Sequence, residues 1–308
     1  MSRYINIGLM QYQIADNFED NLKIIERNIN TMNSGMTRPE IVIGPEMGIG
    51  LKVKDSIPGN ITDRLGSIAK EYGIYLLPGS MVEKETIDGK EYLYNSLPIF
   101  GPDGNLIDTY RKICPYYPLE SGITPGDKYV VLTIKEKNIK FGIMICHDWC
   151  FPEISRNLTL LGAEILIRPA IDPEGLYDSF KYVPVVRALE NQAYFISLNT
   201  TGDNGDITAY GHTMIADPEG RIIYEAGNTE TNYCITLDAD IVTRNRKHGT
   251  FFTEQLVRQL KLFNIPMPFA DKIDQAPVFK DLPDADTNMK SRAEKMKEIG
   301  LNNKLGVR

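Results

Sequence analysis

Two periodicities alternate along this chain, and their alternation restricts the fold more than any single motif does. Short apolar runs of strand length are followed by apolar stripes at helical spacing. Tyr4–Tyr12 has a strand pattern, with Ile5, Gly8, Leu9 and Met10 inside it. Phe18, Leu22, Ile25, Ile29 and Met32 then recur at steps of four and three, which is one face of a helix. Asp16-Asn17-Phe18-Glu19 precedes that stripe in the form of a capping box. Ile41-Val42-Ile43 is a buried-strand run stopped by Gly44-Pro45. A second stripe, Ile61, Leu65, Ile68 and Tyr72, ends at Gly73 as a natural C-cap, and Ile74–Leu77 is again a strand. The first part therefore reads β-α-β-α-β.

The second half repeats the order. Ile139–Ile145 is a strand ending at Cys146, and Pro152–Leu161 is a helix with Pro where a missing N–H costs nothing. Ile165-Leu166-Ile167 is a strand, Val183–Ala193 a helix and Tyr194–Leu198 a strand. Two hairpins sit at matching places. One joins Leu93–Phe100 to Leu106–Tyr110 through Gly101-Pro102-Asp103-Gly104. The other joins Gly211–Ala216 to Arg221–Tyr224 through Asp217-Pro218-Glu219-Gly220. Each turn has Pro second and Gly fourth, as type I turns prefer. Alternating strands and helices argue for α/β, and the hairpins add antiparallel pairing. Two related halves, packed sheet to sheet and covered outside by helices, satisfy both. The pattern weakens after Asp238. A helix is expected over Phe252–Phe263, residues 1–265 form the domain, and residues 266–308 form a polar tail with a further helix near Ser291–Ile299. That tail is expected to be loose or to wrap a partner subunit.

Composition narrows the function classes. The chain has 308 residues, 42% of them hydrophobic and 24% charged, enough to bury a core. A net charge of -7 repels phosphate backbones, so nucleic acid is not an expected partner. No run approaches the ~20 apolar residues that span a bilayer, so no membrane partner is expected. The N-terminus lacks the pattern of a signal peptide. Four cysteines are too few for a disulfide scaffold, and free thiols in the cytoplasm are the expectation.

Cys146 stands just after a buried strand, where the chain bends towards a helix. Strand ends of this kind are where α/β enzymes place reactive groups, although most free cysteines are simply small buried hydrophobes. A thiol nucleophile needs a base. His147 is adjacent and faces the other way on an extended chain. His212 lies in a strand-like run and suits a structural hydrogen bond, and His248 lies in the charged stretch Arg244–His248. Two more residues occupy strand ends: Glu46 after Ile41–Pro45, and Lys112 after Leu106–Tyr110. Alone, the first reads equally as a surface glutamate and the second as a basic residue closing a hairpin. As a set with Cys146 they form a coherent machine. Glu46 takes the thiol proton, while Lys112 and the backbone N–H of His147 bind a developing oxyanion. Cys146 and Cys150 stand four apart with no second pair at ligand spacing, so no metal site is expected.

These residues lie in three motifs: Gly44-Pro45-Glu46, Tyr110-Arg111-Lys112, and Ile145-Cys146-His147-Asp148 with Phe151-Pro152-Glu153. In that order and at those separations the chain resembles the nitrilase superfamily of carbon–nitrogen hydrolases, from about residue 4 to residue 240. The resemblance implies a four-layer α-β-β-α sandwich, a Glu46-Lys112-Cys146 triad, no cofactor and a homo-oligomer. The segment from Lys112 through Pro118-Leu119-Glu120 to Pro125-Gly126-Asp127 is similar to the aliphatic amidase and formamidase branch, and there it implies that Glu120 assists the triad. Gly162–Arg168 also looks like that branch. Met47 after Glu46 and Pro169–Pro173 after Arg168 depart from the pattern in positions that shape the pocket.

The expected reaction is hydrolysis of a small aliphatic amide to carboxylate and ammonia through a thioester. The same triad acting on an N-carbamoyl amine or a nitrile is the alternative, with His147-Asp148 favouring amide over nitrile. A thiol peptidase using Cys146 with His212, and a non-catalytic binding protein keeping the fold, are the readings of other classes.

Overall fold

The computed structural model describes residues 3–263 and 270–280, with single positions as far as 294. In chain order the first half comprises β1 (Tyr4–Gln11), α1 (Phe18–Asn33), β2 (Ile41–Ile43), β3 (Lys54–Asp55), α2 (Asn60–Tyr72), β4 (Tyr75–Leu77), β5 (Met81–Ile87), β6 (Lys90–Phe100) and β7 (Leu106–Arg111). The second half comprises β8 (Val130–Ile134), β9 (Ile139–Ile143), α3 (Pro152–Leu160), β10 (Ile165–Ala170), α4 (Tyr177–Phe180), α5 (Val183–Asn191) and β11 (Tyr194–Asn199). It continues with β12 (Thr201–Asn204), β13 (Ile207–Tyr210), β14 (Met214–Ala216), β15 (Ile222–Glu225), β16 (Thr231–Asp238) and α6 (Asp240–His248).

Strand alternation sorts these elements into four layers. Ile41 and Ile43 point into a core shared by both sheets, whereas Val42 points out against α1 and α2. On the other sheet Ile165 and Ile167 point inward and Leu166 outward, into the cluster that includes Leu158 of α3 and Ala188 of α5. A period of two lets one short apolar strand serve two cores at once. The first sheet has eight strands, ordered β16-β1-β2-β4-β6-β5-β3 with β7 paired to β6. The second has six, ordered β15-β14-β11-β10-β9-β8. Each has a parallel centre, β1-β2-β4 in one and β9-β10-β11 in the other. The expected four-layer α-β-β-α sandwich is thus the observed fold.

The two hairpins do occupy matching positions. Both carry a register shift, between Ile99 and Phe100 in β6/β7 and between Ile215 and Ala216 in β14/β15. β16 belongs to the second half in sequence but pairs antiparallel with β1, which locks the halves together.

Local details differ from expectation. The cap of α1 is Asn17, whose side chain accepts from the Asp20 N–H at 3.0 Å, one residue later than the Asp16–Glu19 box. Asp16 instead pairs with Lys52. The helix expected over Phe252–Phe263 shrinks to one turn, Leu256–Gln259, with a 3-10 turn after it. Reciprocal backbone bonds between Thr250 and Glu254 hold the preceding chain in a turn, and Phe251 and Phe252 take positive φ there. The helix expected near Ser291–Ile299 lies, but for Glu294, outside the described residues. Among the described residues no helix is long and apolar enough to cross a membrane.

Candidate active site

The ends of β2, β7 and β9 converge between the sheets, and each delivers one side chain. Glu46 arrives by a tight turn. Gly44 passes so close to the chain leaving β4 that a Cβ there would meet the Pro78 carbonyl oxygen at 2.2 Å. Glu46 is buried, and three donors hold its carboxylate. Oε1 accepts from Lys112 Nζ at 2.8 Å and Asn95 Nδ2 at 2.9 Å, and Oε2 accepts from the Ile171 N–H at 2.9 Å.

Lys112 follows β7, and its backbone N–H donates to the Asn95 carbonyl at 2.8 Å, which extends the β6 pairing by one residue. Its side chain is 1% exposed, not the open hairpin position that the local sequence suggests. Nζ also donates to Glu120 Oε2 at 2.7 Å. Burial alone would lower the Lys112 pKa. The charges of Glu46, Cys146 and Glu120 outweigh it and hold the ammonium well above its ordinary range. Glu120 sits in the loop after Lys112. Burial alone would raise its pKa, and the Lys112 charge, with hydrogen bonds from Lys112, the Tyr116 N–H and Asn95, holds it below 4.5. Asn95, on β6, uses one amide nitrogen to bridge both carboxylates. Nothing in its local sequence distinguishes it.

Cys146 opens a 3-10 turn, Cys146–Cys150, three residues beyond the end of β9. Its φ of 44° lies in the left-handed region, a costly conformation for a residue with a Cβ. Asp148 anchors the turn. Its carboxylate accepts from the Tyr110 hydroxyl at 2.6 Å, the Ile145 N–H at 2.8 Å and the Cys114 N–H at 2.7 Å. Burial pushes Asp148 up to about 6 against those donors. Burial, with the Glu46 charge, also pushes the Cys146 thiol well above its ordinary range, while Lys112 and Arg168 pull it down.

Sequence reasoning missed two neighbours of the sulfur. Arg168 Nη2 lies 3.6 Å from Cys146 Sγ, and Asp172 Oδ1 lies 3.8 Å from it. Arg168 interrupts an otherwise apolar strand, and a cation there was the available signal.

The histidines divide as their contexts suggested, with one difference. The His147 ring turns away from the sulfur. Its Nδ1 lies 3.2 Å from the Cys114 carbonyl oxygen, and the ring packs on Tyr116 and Phe151. Its backbone N–H belongs to the opening of the 3-10 turn, where donors have no partner within the turn. His212 lies between β13 and β14 with φ 52°, not inside a strand. Its Nδ1 meets Glu225 Oε1 at 3.0 Å. His248 is exposed at the end of α6. Neither histidine reaches Cys146, so the Cys146–His212 peptidase arrangement is not assembled.

Residues 6–245 match the family described as carbon-nitrogen hydrolase. The chain belongs to the carbon-nitrogen hydrolase family. It is accordingly a hydrolase of carbon–nitrogen bonds. Omega-amidase NIT2 of Xenopus tropicalis is 31% identical over 221 residues, which take in 65% of this chain and 78% of that protein. Omega-amidase NIT2-B of Xenopus laevis is 30% identical over 254 residues, 76% of this chain and 88% of that one. Among solved structures, Nit3 of Saccharomyces cerevisiae, a member of branch 10 of the nitrilase superfamily, superposes with a TM-score of 0.72 at 25% identity. That match covers 80% of this chain and 94% of Nit3. The amidase from Nesterenkonia sp. AN1 shares the fold, with a TM-score of 0.67 at 22% identity over 80% of this chain and 95% of that one.

Proposed function

We propose that this carbon-nitrogen hydrolase cleaves a small aliphatic amide to carboxylate and ammonia, with Cys146 as nucleophile. The observation that carries the reading is the buried group beside the thiol, in which Lys112 bonds both Glu46 and Glu120. Two carboxylates around one lysine leave a proton acceptor and a fixed cation within one water-poor site. The likeness to omega-amidases supports an amide as substrate.

The steps follow from the groups present. Glu46 takes the Cys146 proton, and the thiolate attacks the amide carbonyl carbon. Lys112 Nζ and the His147 N–H stabilise the negative oxygen of the tetrahedral intermediate. As the carbon–nitrogen bond breaks, Glu46 returns the proton to the departing nitrogen, and ammonia leaves a thioester on Cys146. Water then attacks the thioester, giving up its proton to Glu46, and the released thiolate regains it as the carboxylate departs. Glu120 and Asn95 hold Glu46 and Lys112 in register throughout.

The test is ammonia release from formamide, acetamide, propionamide, a carbamoyl amine and a simple nitrile, with wild type beside Cys146→Ala. Cys146-dependent release from the plain amides is the expected result. Release of carbon dioxide with ammonia, from the carbamoyl amine alone, would replace the plain-amide substrate with a carbamoyl one. Full activity in Cys146→Ala would overturn the mechanism.

A further inference from the structure

Five charged groups surround or support the Cys146 thiol, and they differ in origin. Glu46, Lys112 and Glu120 come from the first half of the chain, Arg168 and Asp172 from the second. The first three do not balance. One lysine serves two carboxylates, so the resting trio carries a net negative charge, and transfer of the Cys146 proton to Glu46 brings it only to neutrality. A thiolate formed beside it gains no net counter-charge from the trio, because Lys112 stays shared with Glu120.

The second half supplies the other cation. Arg168 lies within β10, is 1% exposed, and has its guanidinium 3.5 Å from the centre of the Trp149 ring. Nε donates to the Cys146 carbonyl oxygen at 2.9 Å, and Nη2 reaches Cys146 Sγ at 3.6 Å. One side chain therefore grips both the backbone and the sulfur of the residue in the left-handed turn. Asp172 closes the arrangement. It makes a two-pronged pair with Arg168, and its Oδ2 accepts from the Tyr210 hydroxyl at 2.9 Å. Its backbone N–H donates to Asn199 Oδ1 at 2.9 Å. Its Oδ1 accepts the thiol hydrogen bond at 3.8 Å.

We infer that Arg168 and Asp172 are an opposed pair of positioning residues for the nucleophile. The Arg168 guanidinium holds the strained turn and stands as counter-charge to the Cys146 thiolate, and the Asp172 carboxylate holds the resting thiol protonated. The inference rests on Cys146 as the nucleophile. Lys112 is thereby left to the oxyanion, because the thiolate has a cation of its own. A buried ion pair that only braced the loop after β10 would have no reason to bond the sulfur with both members. The opposing signs of the two charges at Cys146 agree with this division.

The test is the pH dependence of Cys146 alkylation by iodoacetamide, read by peptide mapping so that Cys114, Cys150 and Cys234 are scored separately. Asp172→Asn keeps the shape and an acceptor for Tyr210. It is expected to move the Cys146 profile to lower pH by about one unit, the usual effect of removing a like charge at this range. Arg168→Gln is expected to move it to higher pH by a similar amount, and Arg168→Lys to return part of that shift. Profiles that stay in place, or that move in the same direction in Asp172→Asn and Arg168→Gln, would overturn the inference. If Arg168→Gln fails to fold, Asp172→Asn and Arg168→Lys still decide it. The first must shift down, and the second must stay nearer wild type than one unit. Ammonia release by Cys146→Ala separates the two levels. Retained activity there sinks the nucleophile reading itself, whereas lost activity with unmoved profiles sinks only the pair.

Discussion

The two halves of the molecule share a fold and contribute opposite kinds of order to one site. The first half delivers Glu46, Lys112 and Glu120, none of them at positive φ, and ties them together by hydrogen bonds through Asn95. The second half delivers Cys146 on a left-handed turn, which Asp148 anchors from one side and Arg168 from the other. The contrast teaches where each half is vulnerable. Removing a charge from the first leaves other buried charges without partners. Disturbing the second releases a turn that the backbone would not choose alone.

Cys146→Ala should break the comparison most completely. Loss of ammonia release on the order of 10⁴-fold or more is expected, the usual cost of removing a nucleophile. Thermal unfolding should stay near that of the parent, because the turn keeps its anchors. Lys112→Met should differ in kind. It strands the buried Glu46 and the partly buried Glu120, so activity and about 3 kcal/mol of stability should both be lost, measured by urea unfolding. Adding Glu120→Gln should restore part of that stability and none of the activity.

Asp148→Asn probes the second half. An amide oxygen cannot accept from Tyr110, Ile145 and Cys114 as a two-oxygen carboxylate does, and its NH₂ would face donors. A loss of roughly 1–3 kcal/mol is expected, with slower turnover as the turn loosens.

The halves should also respond to pH with opposite sign. Glu120 is held below 4.5 in the folded protein, so its contribution is complete above about 4.5. That contribution is lost as pH falls through the lower folded value. Asp148 is raised from 3.8 to about 6, so between those values the folded state holds its proton more tightly than the unfolded chain. Its contribution therefore falls as pH rises across that window. Urea midpoints across about pH 3 to 7 check both. Glu120→Gln should flatten the acid limb, and Asp148→Asn the segment between about 4 and 6. The smallest effect concerns the turn alone. Cys146→Gly should be more stable than Cys146→Ala by roughly 1 kcal/mol, because glycine accepts positive φ without a Cβ clash.

Much of this was legible in one dimension. The alternation of strand and helix patterns set the layers, since a period of two or of 3.6 declares which side of an element is buried. Pro-Glu after β2, the lysine after β7 and the cysteine after β9 marked the strand ends that converge. Residue type and local spacing are enough for that, because strand ends, caps and turns depend on neighbours in the chain. Even so, the helical spacing around Phe252 misled, since the turn held by Thr250 and Glu254 overrides local propensity there.

Tertiary structure alone decided the rest. Asn95 bridges Glu46 and Glu120 across 49 and 25 residues, and the Ile171 N–H reaches Glu46 across 125. Arg168 meets Cys146 across 22 residues, because β10 lies beside β9 in the same sheet. Such contacts have no period and no motif; they arise when two sheets pack and buried polar groups must find partners in the space that remains. The sequence by itself determined which side chains stand at the ends of the strands. Packing determined what surrounds them, because only the folded interior removes water and brings Lys112 between two carboxylates and Arg168 up to the sulfur.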